Sequence, residues 1–331
     1  MPPHLVTAAW ATWNAINLRP PAGAAAPGVT IPEAVVKIGI RVPETARTAE
    51  SLGAEREGTG IVISGDGLIL TIGYLILEAA SILIVTHDGR VFPAQVVGFD
   101  HATGFGLLRV AQPLGCRPLA FGETNGLREL HSATVATHAA AGGATRACVV
   151  ARRPFTGWWE YALESAIFAA PARGNHSGAA LLDAHGRLAG VGSLWVSDAL
   201  EAGAAFPGNM FVPIDLLPPI LDDLITHGRR RGPSRPWLGL YSEELRSHVV
   251  VTQVLHDSPA AQAGVRRGDV ILGVGREAIG DQHEFYRAVW ASGEAGVELS
   301  LKVLRDKRVR EVMVRTSDRL EYLRPWAATF S

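Results

Sequence analysis

Arg173-Gly174-Asn175-His176-Ser177-Gly178-Ala179-Ala180-Leu181-Leu182-Asp183 sets a single hydroxyl among small residues and then runs into an apolar segment. Asp183-Ala184-His185-Gly186-Arg187 closes that segment and Leu188-Ala189-Gly190-Val191-Gly192 follows it, the pattern of a tight turn feeding a β-hairpin. A serine in such a turn is presented as a nucleophile would be. The rest of the chain decides whether it is armed.

Working outward from this turn, short apolar runs recur with turn signals between them. Upstream they cover residues 35–42, 60–64, 68–71, 82–86, 92–97, 106–110, 132–137, 147–152 and 161–169, and downstream 209–214. Gly65-Asp66-Gly67 and His87-Asp88-Gly89-Arg90 are two of the separators, and long helical periodicity is absent, so a mainly β barrel or sandwich is predicted. Residues 216–225 are expected to form a helix ending near Gly228. The charged, Pro/Gly-broken stretch 229–236 reads as a linker. Beyond it a smaller β/α unit is predicted, with strands over 237–241, 249–254, 269–274, 297–304 and 310–315 and helices over 260–263 and 282–291.

The whole chain has 331 residues, 47% of them hydrophobic, with 36 Gly and 20 Pro, which fits a loop-rich globular protein of about two domains. A net charge of −1 offers no basic field for a phosphate backbone, so nucleic acid is not an expected partner. Two cysteines, Cys116 and Cys148, are too few to define a scaffold, and no histidine spacing predicts a metal site. No metal or cofactor is expected, and no apolar run is long enough to predict a transmembrane segment. Residues 5–16 are apolar, but no Lys or Arg precedes Arg19, and Asn14 and Asn17 interrupt the run. The N-terminus therefore reads as a short helix bearing Trp10 and Trp13 rather than a secretory signal, with a cytoplasmic location favoured and a periplasmic one as the alternative.

Three stretches in a fixed order carry a resemblance: Gly58-Thr59-Gly60-Ile61-Val62-Ile63-Ser64-Gly65-Asp66-Gly67-Leu68-Ile69-Leu70-Thr71, then residues 88–100, then the Ser177 turn. Together they resemble the HtrA/Deg family of trypsin-like serine proteases. Residues 237–316 resemble that family's PDZ domain, with Trp237-Leu238-Gly239-Leu240 at its carboxylate-binding loop and Ser258-Pro259-Ala260-Ala261-Gln262-Ala263-Gly264 in its most recognisable internal segment. The resemblance implies a trypsin-like double β-barrel over residues 33–228 and a PDZ domain over 237–316. An N-terminal segment of residues 1–32 and a tail of 317–331 flank them.

The resemblance also gives each member of a catalytic triad a place, and this chain departs from it at two. Tyr74 stands where the family's histidine follows the third strand, and Gly104 where the family has its aspartate. Ser177 is the remnant nucleophile, and Asn175 and Ser177 belong to an oxyanion loop in which Asn175 replaces a glycine or His176 is an insertion. A phenol with an ordinary pKa near 10 is a poor base, and glycine offers no side chain. His176 and His101 are the substitute bases to weigh. In the PDZ unit, the N–H groups of Leu238, Gly239 and Leu240 are expected to hold the terminal carboxylate of a protein or peptide, with Phe285, Ala288 and Val289 lining the pocket for its last side chain. The expected function is that of a catalytically inactive scaffold, adaptor or regulatory subunit, assembling with itself or with an active relative. The alternatives are a serine endopeptidase with a non-standard base and a structural subunit of a larger complex.

Overall fold

The computed structural model describes residues 30–124, 126–138 and 143–323, so the expectations for the N-terminal helix and for Trp10 and Trp13 lie outside the described residues. The chain forms two compact units, one of Met1–Arg153 with Ser165–Arg230 and the other of Pro154–Glu164 with Arg231–Ser331.

The first unit is built from two closed six-stranded barrels. Strands β1 (Val35–Arg41), β2 (Glu55–Val62), β3 (Leu68–Ile72), β4 (Ser81–Val85), β5 (Val91–Phe99) and β6 (Phe105–Val110) close in the order β1-β2-β3-β6-β5-β4. All pairings are antiparallel, with Ile38 opposite Gly58 and Ile61 opposite Leu70. Ile38, Ile61, Ile69, Ile84 and Leu108 fill the barrel and are buried. A one-turn helix, α1 (Ala49–Leu52), lies between β1 and β2.

The second barrel uses β7 (Ser132–Ala136), β8 (Ala144–Gly157), β9 (Tyr161–Ala170), β10 (Ala180–Leu182), β11 (Leu188–Val196) and β12 (Gly208–Pro213), ordered β10-β11-β12-β9-β8-β7. Its core gathers Val135, Val149, Ile167, Leu181 and Phe211. Closure removes the free edges that open β-sheets must otherwise protect. The hairpin after Ser177 forms as expected. Asp183 secures its turn by accepting from the backbone N–H of His185 (2.8 Å) and Arg187 (2.9 Å) and from Arg187 Nε (2.9 Å).

The helix expected over 216–225 is shorter. Two 3₁₀ turns, Ile214–Leu216 and Pro218–Ile220, precede α2 (Leu221–His227), because Pro218 and Pro219 have no N–H to extend an α-helix backwards. Gly228 ends α2 in the left-handed region at φ 71°, donating its N–H to Leu224 O.

The second unit carries β13 (Leu240–Leu245), β14 (His248–Val254), α3 (Pro259–Gln262), β15 (Val270–Val274), β16 (Glu277–Ala278), α4 (Gln282–Ala291), β17 (Glu298–Arg305), β18 (Arg308–Arg315) and α5 (Arg319–Tyr322). Its sheet runs β13-β14-β15-β17-β18, with β16 on β15. Ser258 caps α3 by accepting from Ala261 N, and Asp281 caps α4 by accepting from Glu284 N, which fixes where both helices start. Leu240, Val251, Ile271, Phe285, Tyr286, Leu301 and Val314 share the core.

Two differences from the sequence expectation, the start of the first strand and the extent of the hairpin tip, matter for the site. The first strand of this unit starts at Leu240 and not Trp237, because the preceding residues form a loop. Residues 317–323 pack on this unit as expected, with Trp237 bridging Ser317 and its ring 4.7 Å from that of Tyr322. The tip of the β8–β9 hairpin, Pro154–Glu164, belongs to this unit.

Candidate functional site

The Ser177 turn is held by its backbone. Arg173 N donates to Asn209 Oδ1 (2.7 Å) and Asn209 Nδ2 donates to Arg173 O (3.0 Å), pinning the start of the turn to β12. At its end Gly178 N donates to Gly192 O (2.8 Å), Ala179 N to His176 O (3.0 Å) and Gly192 N to Ala179 O (2.7 Å). Thr59 N, from the first barrel, donates to Ser177 O at 2.9 Å. Within residues 173–178 only Gly178 is left-handed (φ 76°), and a Cβ there would stand 1.9 Å from Thr59 O. Glycine is therefore required on both conformational and steric grounds.

Tyr74 lies in the 3₁₀ turn Gly73–Leu75 that follows β3. Arg56 fastens that turn: its Nη1 donates to Tyr74 O (2.9 Å) and Leu77 O (3.0 Å), and its Nη2 to Thr48 Oγ1 (2.7 Å). Burial lowers the Arg56 pKa to about 10, against the attraction of Glu78. Sequence reading passed over Arg56, since an arginine between Glu55 and Glu57 in an alternating strand looks like an exposed charge. Its burial at 7% exposure is a tertiary outcome.

The Tyr74 hydroxyl lies 2.7 Å from Ser177 Oγ and 2.8 Å from Ser193 O. A phenol has one proton, and a carbonyl can only accept. The arrangement that satisfies all three groups has Tyr74 donating to Ser193 O and Ser177 donating to the phenolic oxygen. Burial raises the Tyr74 pKa to about 12, with the Ser177 hydrogen bond working in the opposite direction. At pH 7 about one molecule in 10⁵ would then carry a phenolate. At neutral pH the phenol is protonated and lies within hydrogen-bond reach of the serine hydroxyl.

Gly104 is left-handed (φ 82°), and its carbonyl accepts from Gly73 N at 2.6 Å. It is a backbone support for the Tyr74 turn. The nearest carboxylate in sequence, Asp100, is buried and accepts from Thr103 N (2.9 Å), Thr103 Oγ1 (2.7 Å) and both Arg230 Nε and Nη2 (3.1 Å each). His101 sets its ring edge-on to Phe99 at 4.3 Å. His176 turns Nδ1 onto Arg173 O at 3.2 Å, and burial lowers its pKa. The structure thus brings together Ser177 and Tyr74 and directs His176 into its own turn. Asn175 is exposed.

In the second unit Leu238, Gly239 and Leu240 point their N–H groups at one carboxylate, that of Glu160. Leu238 N donates to Oε2 (3.0 Å), and Gly239 N (2.7 Å) and Leu240 N (3.2 Å) donate to Oε1. Gly239 is left-handed (φ 76°), and a Cβ there would fall 2.3 Å from Ser258 Cβ, so this turn also requires glycine. Burial raises the Glu160 pKa to about 7, while the three N–H bonds and Arg319 oppose the rise. Phe285, Ala288 and Val289 are buried on α4 in the core of the unit. Glu160 had no motif to mark it, and the one cue was a carboxylate following two tryptophans in Gly157-Trp158-Trp159-Glu160.

Two closed six-stranded barrels with a serine turn stitched across them, followed by a small sheet-and-helix unit with a three-amide cradle, define a trypsin-like peptidase fold joined to a PDZ domain. Family comparison agrees: a Trypsin-like peptidase domain matches residues 58–191 and a PDZ domain matches 236–316. In this domain order and along most of its length the chain is similar to HtrA-type proteases. It is 29% identical over 311 residues to the periplasmic pH-dependent serine endoprotease DegQ of Escherichia coli K12, covering 88% of this chain and 65% of the relative. It is 30% identical over 232 residues to the serine endoprotease DegS of Haemophilus influenzae, covering 65% and 64%. A probable periplasmic serine endoprotease, DegP-like, of Brucella suis is 27% identical over 274 residues, 78% of this chain and 52% of the relative. The chain therefore spans about half the length of that relative. Among solved structures, the HtrA-type protease AlgW with decapeptide aligns at TM-score 0.53 and 23% identity, covering 89% of this chain and 97% of the other. The serine endoprotease from Yersinia pestis aligns at TM-score 0.52 and 24% identity, covering 87% and 94%. These two likenesses establish the fold.

Proposed function

We propose that this chain is a catalytically inactive HtrA-type protein that works by binding protein segments through its PDZ unit, as a scaffold, adaptor or regulatory subunit. One observation carries the reading: the Ser177 hydroxyl is engaged at 2.7 Å by a phenol that keeps its proton, while Gly104 supplies no carboxylate. A triad stripped of base and orienting acid loses several orders of magnitude in rate even where oxyanion stabilisation survives. Peptide binding is supported by the PDZ match and by an amide cradle that accepts a carboxylate.

The test is a fluorophosphonate probe on the purified full chain, with casein turnover measured in parallel. No labelling of Ser177 and no cleavage is expected. Labelling that disappears in Ser177→Ala would establish the endopeptidase reading and refute this one.

The cytoplasmic location favoured by the N-terminal sequence finds no support in the relatives, several of which carry periplasmic names. We place this chain in the periplasm as well. A fusion to a reporter active only after export tests that, and an inactive reporter would refute it. Among the described residues no helix is long and apolar enough to cross a membrane. Assembly with itself or with an active relative belongs to the same proposal, and sedimentation of the purified chain as a monomer, alone and with such a relative, would remove it.

A further inference from the structure

The Leu238-Gly239-Leu240 cradle already holds a carboxylate, and the chain around that carboxylate is laid out as a ligand. Glu160 is 6% exposed, and its two oxygens take all three cradle N–H groups. One residue back, Trp159 O accepts from Arg319 Nη1 at 3.3 Å. One further back, Trp158 O accepts from Ser242 N at 3.0 Å. Ser242 lies on β13, the end strand of its sheet, and a main-chain bond to such an edge is the contact that an added peptide strand makes. The Trp158 ring stands edge-on to Tyr241 at 4.6 Å, and Thr156 Oγ1 meets His283 Nδ1, on α4, at 3.2 Å. Carboxylate end, main chain and flanking side chains all find partners in the order that a bound peptide would need.

Burial and turn geometry both bear on this contact. Taking a carboxylate out of water is costly; the cradle N–H groups and Arg319 offset part of that cost, while burial still raises the Glu160 pKa to about 7. Glu160 closes the three-residue loop between β8 and β9 in the left-handed region (φ 56°), the conformation that such a hairpin loop requires of its last residue, so the turn itself presents this side chain.

We propose that the cradle is a site for a side-chain carboxylate carried on an internal turn, that Glu160 is its resident ligand, and that a free chain terminus reaches the site only by displacing the Pro154–Glu164 tip. Displacement rests on the peptide-binding reading above; occupancy by Glu160 does not.

Hydrogen exchange of the Leu238, Gly239 and Leu240 amides in the full chain tests both parts, using wild type, Glu160→Ala and the near-isosteric Glu160→Gln. The probe is a pool of random decapeptides with a free apolar C-terminus, and the same pool with amidated C-termini is the control. Losing the charged acceptor should speed exchange by about ten- to a hundredfold in Glu160→Ala, with Glu160→Gln intermediate. The free-acid pool should restore protection in Glu160→Ala at concentrations that leave wild type unchanged. Equal exchange in all three proteins, with melting curves confirming that they are folded, overturns the occupancy. Equal response of wild type and Glu160→Ala to the pool overturns the exclusion. Loss of protection in Glu160→Ala with no response to either pool supports the resident ligand and refutes the cradle as a receptor for free termini.

Discussion

Replacing Tyr74 by Phe removes one oxygen from the seam between the barrels and separates a structural phenol from a catalytic one. The lost atom carries the 2.7 Å contact to Ser177 Oγ and the 2.8 Å bond to Ser193 O. Ser177 can turn its hydroxyl elsewhere, whereas Ser193 O loses a donor in a half-buried setting. An orphaned acceptor of this kind costs about 1–2 kcal/mol. For a domain of about 200 residues that lowers the melting temperature by roughly 2–8 °C. Thermal unfolding followed by circular dichroism reads the stability, and fluorophosphonate labelling of Ser177 reads the chemistry. The expected pair is a lower melting temperature with labelling at background in both proteins. An unchanged melting temperature together with wild-type labelling that Tyr74→Phe abolishes would refute the reasoning, because the phenol would then be acting as a base.

Three further outcomes are expected. Gly178→Ala puts a methyl 1.9 Å from Thr59 O in a left-handed residue and should destabilise by about 3 kcal/mol or more; urea unfolding measures it, and a loss under about 1 kcal/mol would mean that the turn moves freely. Ser177→Ala leaves Tyr74 bonded to Ser193 O and should change stability by less than about 1 kcal/mol, with peptide binding unchanged by titration calorimetry. Glu160 should make docking of the hairpin tip pH-dependent: its ordinary value of 4.5 rises to about 7 when docked, so docking is fully supported below 4.5 and weakens as pH climbs through 7, by roughly 3 kcal/mol in all. Arg319 and Tyr286 face this site: burial lowers the Arg319 pKa against the attraction of Glu160, and burial raises that of Tyr286 to about 12. Protection factors at Gly239 between pH 5 and 8 should fall in wild type and stay level in Glu160→Gln.

The strands were legible because alternating or continuous apolar runs ended at Gly and Asp turns, and the capped helices because Ser258 and Asp281 stand where a cap is needed. Motif order assigns positions to Ser177, Tyr74 and Gly104, and an aromatic with its hydroxyl on the serine or on backbone is what a phenol at that position suggests; the structure has both contacts, the first joining segments 103 residues apart at 2.7 Å. Arg56 and Glu160 escaped notice for a shared reason: each is a charged residue whose burial is compensated by backbone groups, and backbone groups leave no letter in the sequence. The first strand of the second unit was placed too early for the same cause, since residues 237–239 curve around a carboxylate that sits some 80 residues upstream.

The bond from Thr59 N to Ser177 O, with Gly178 fitted beneath it, makes the serine turn a rivet between the barrels. A rivet is constrained whatever chemistry its hydroxyl performs. The Ser-Gly pair therefore reports the joint between the barrels, and the residue that meets the serine's oxygen, one loop away, reports the chemistry.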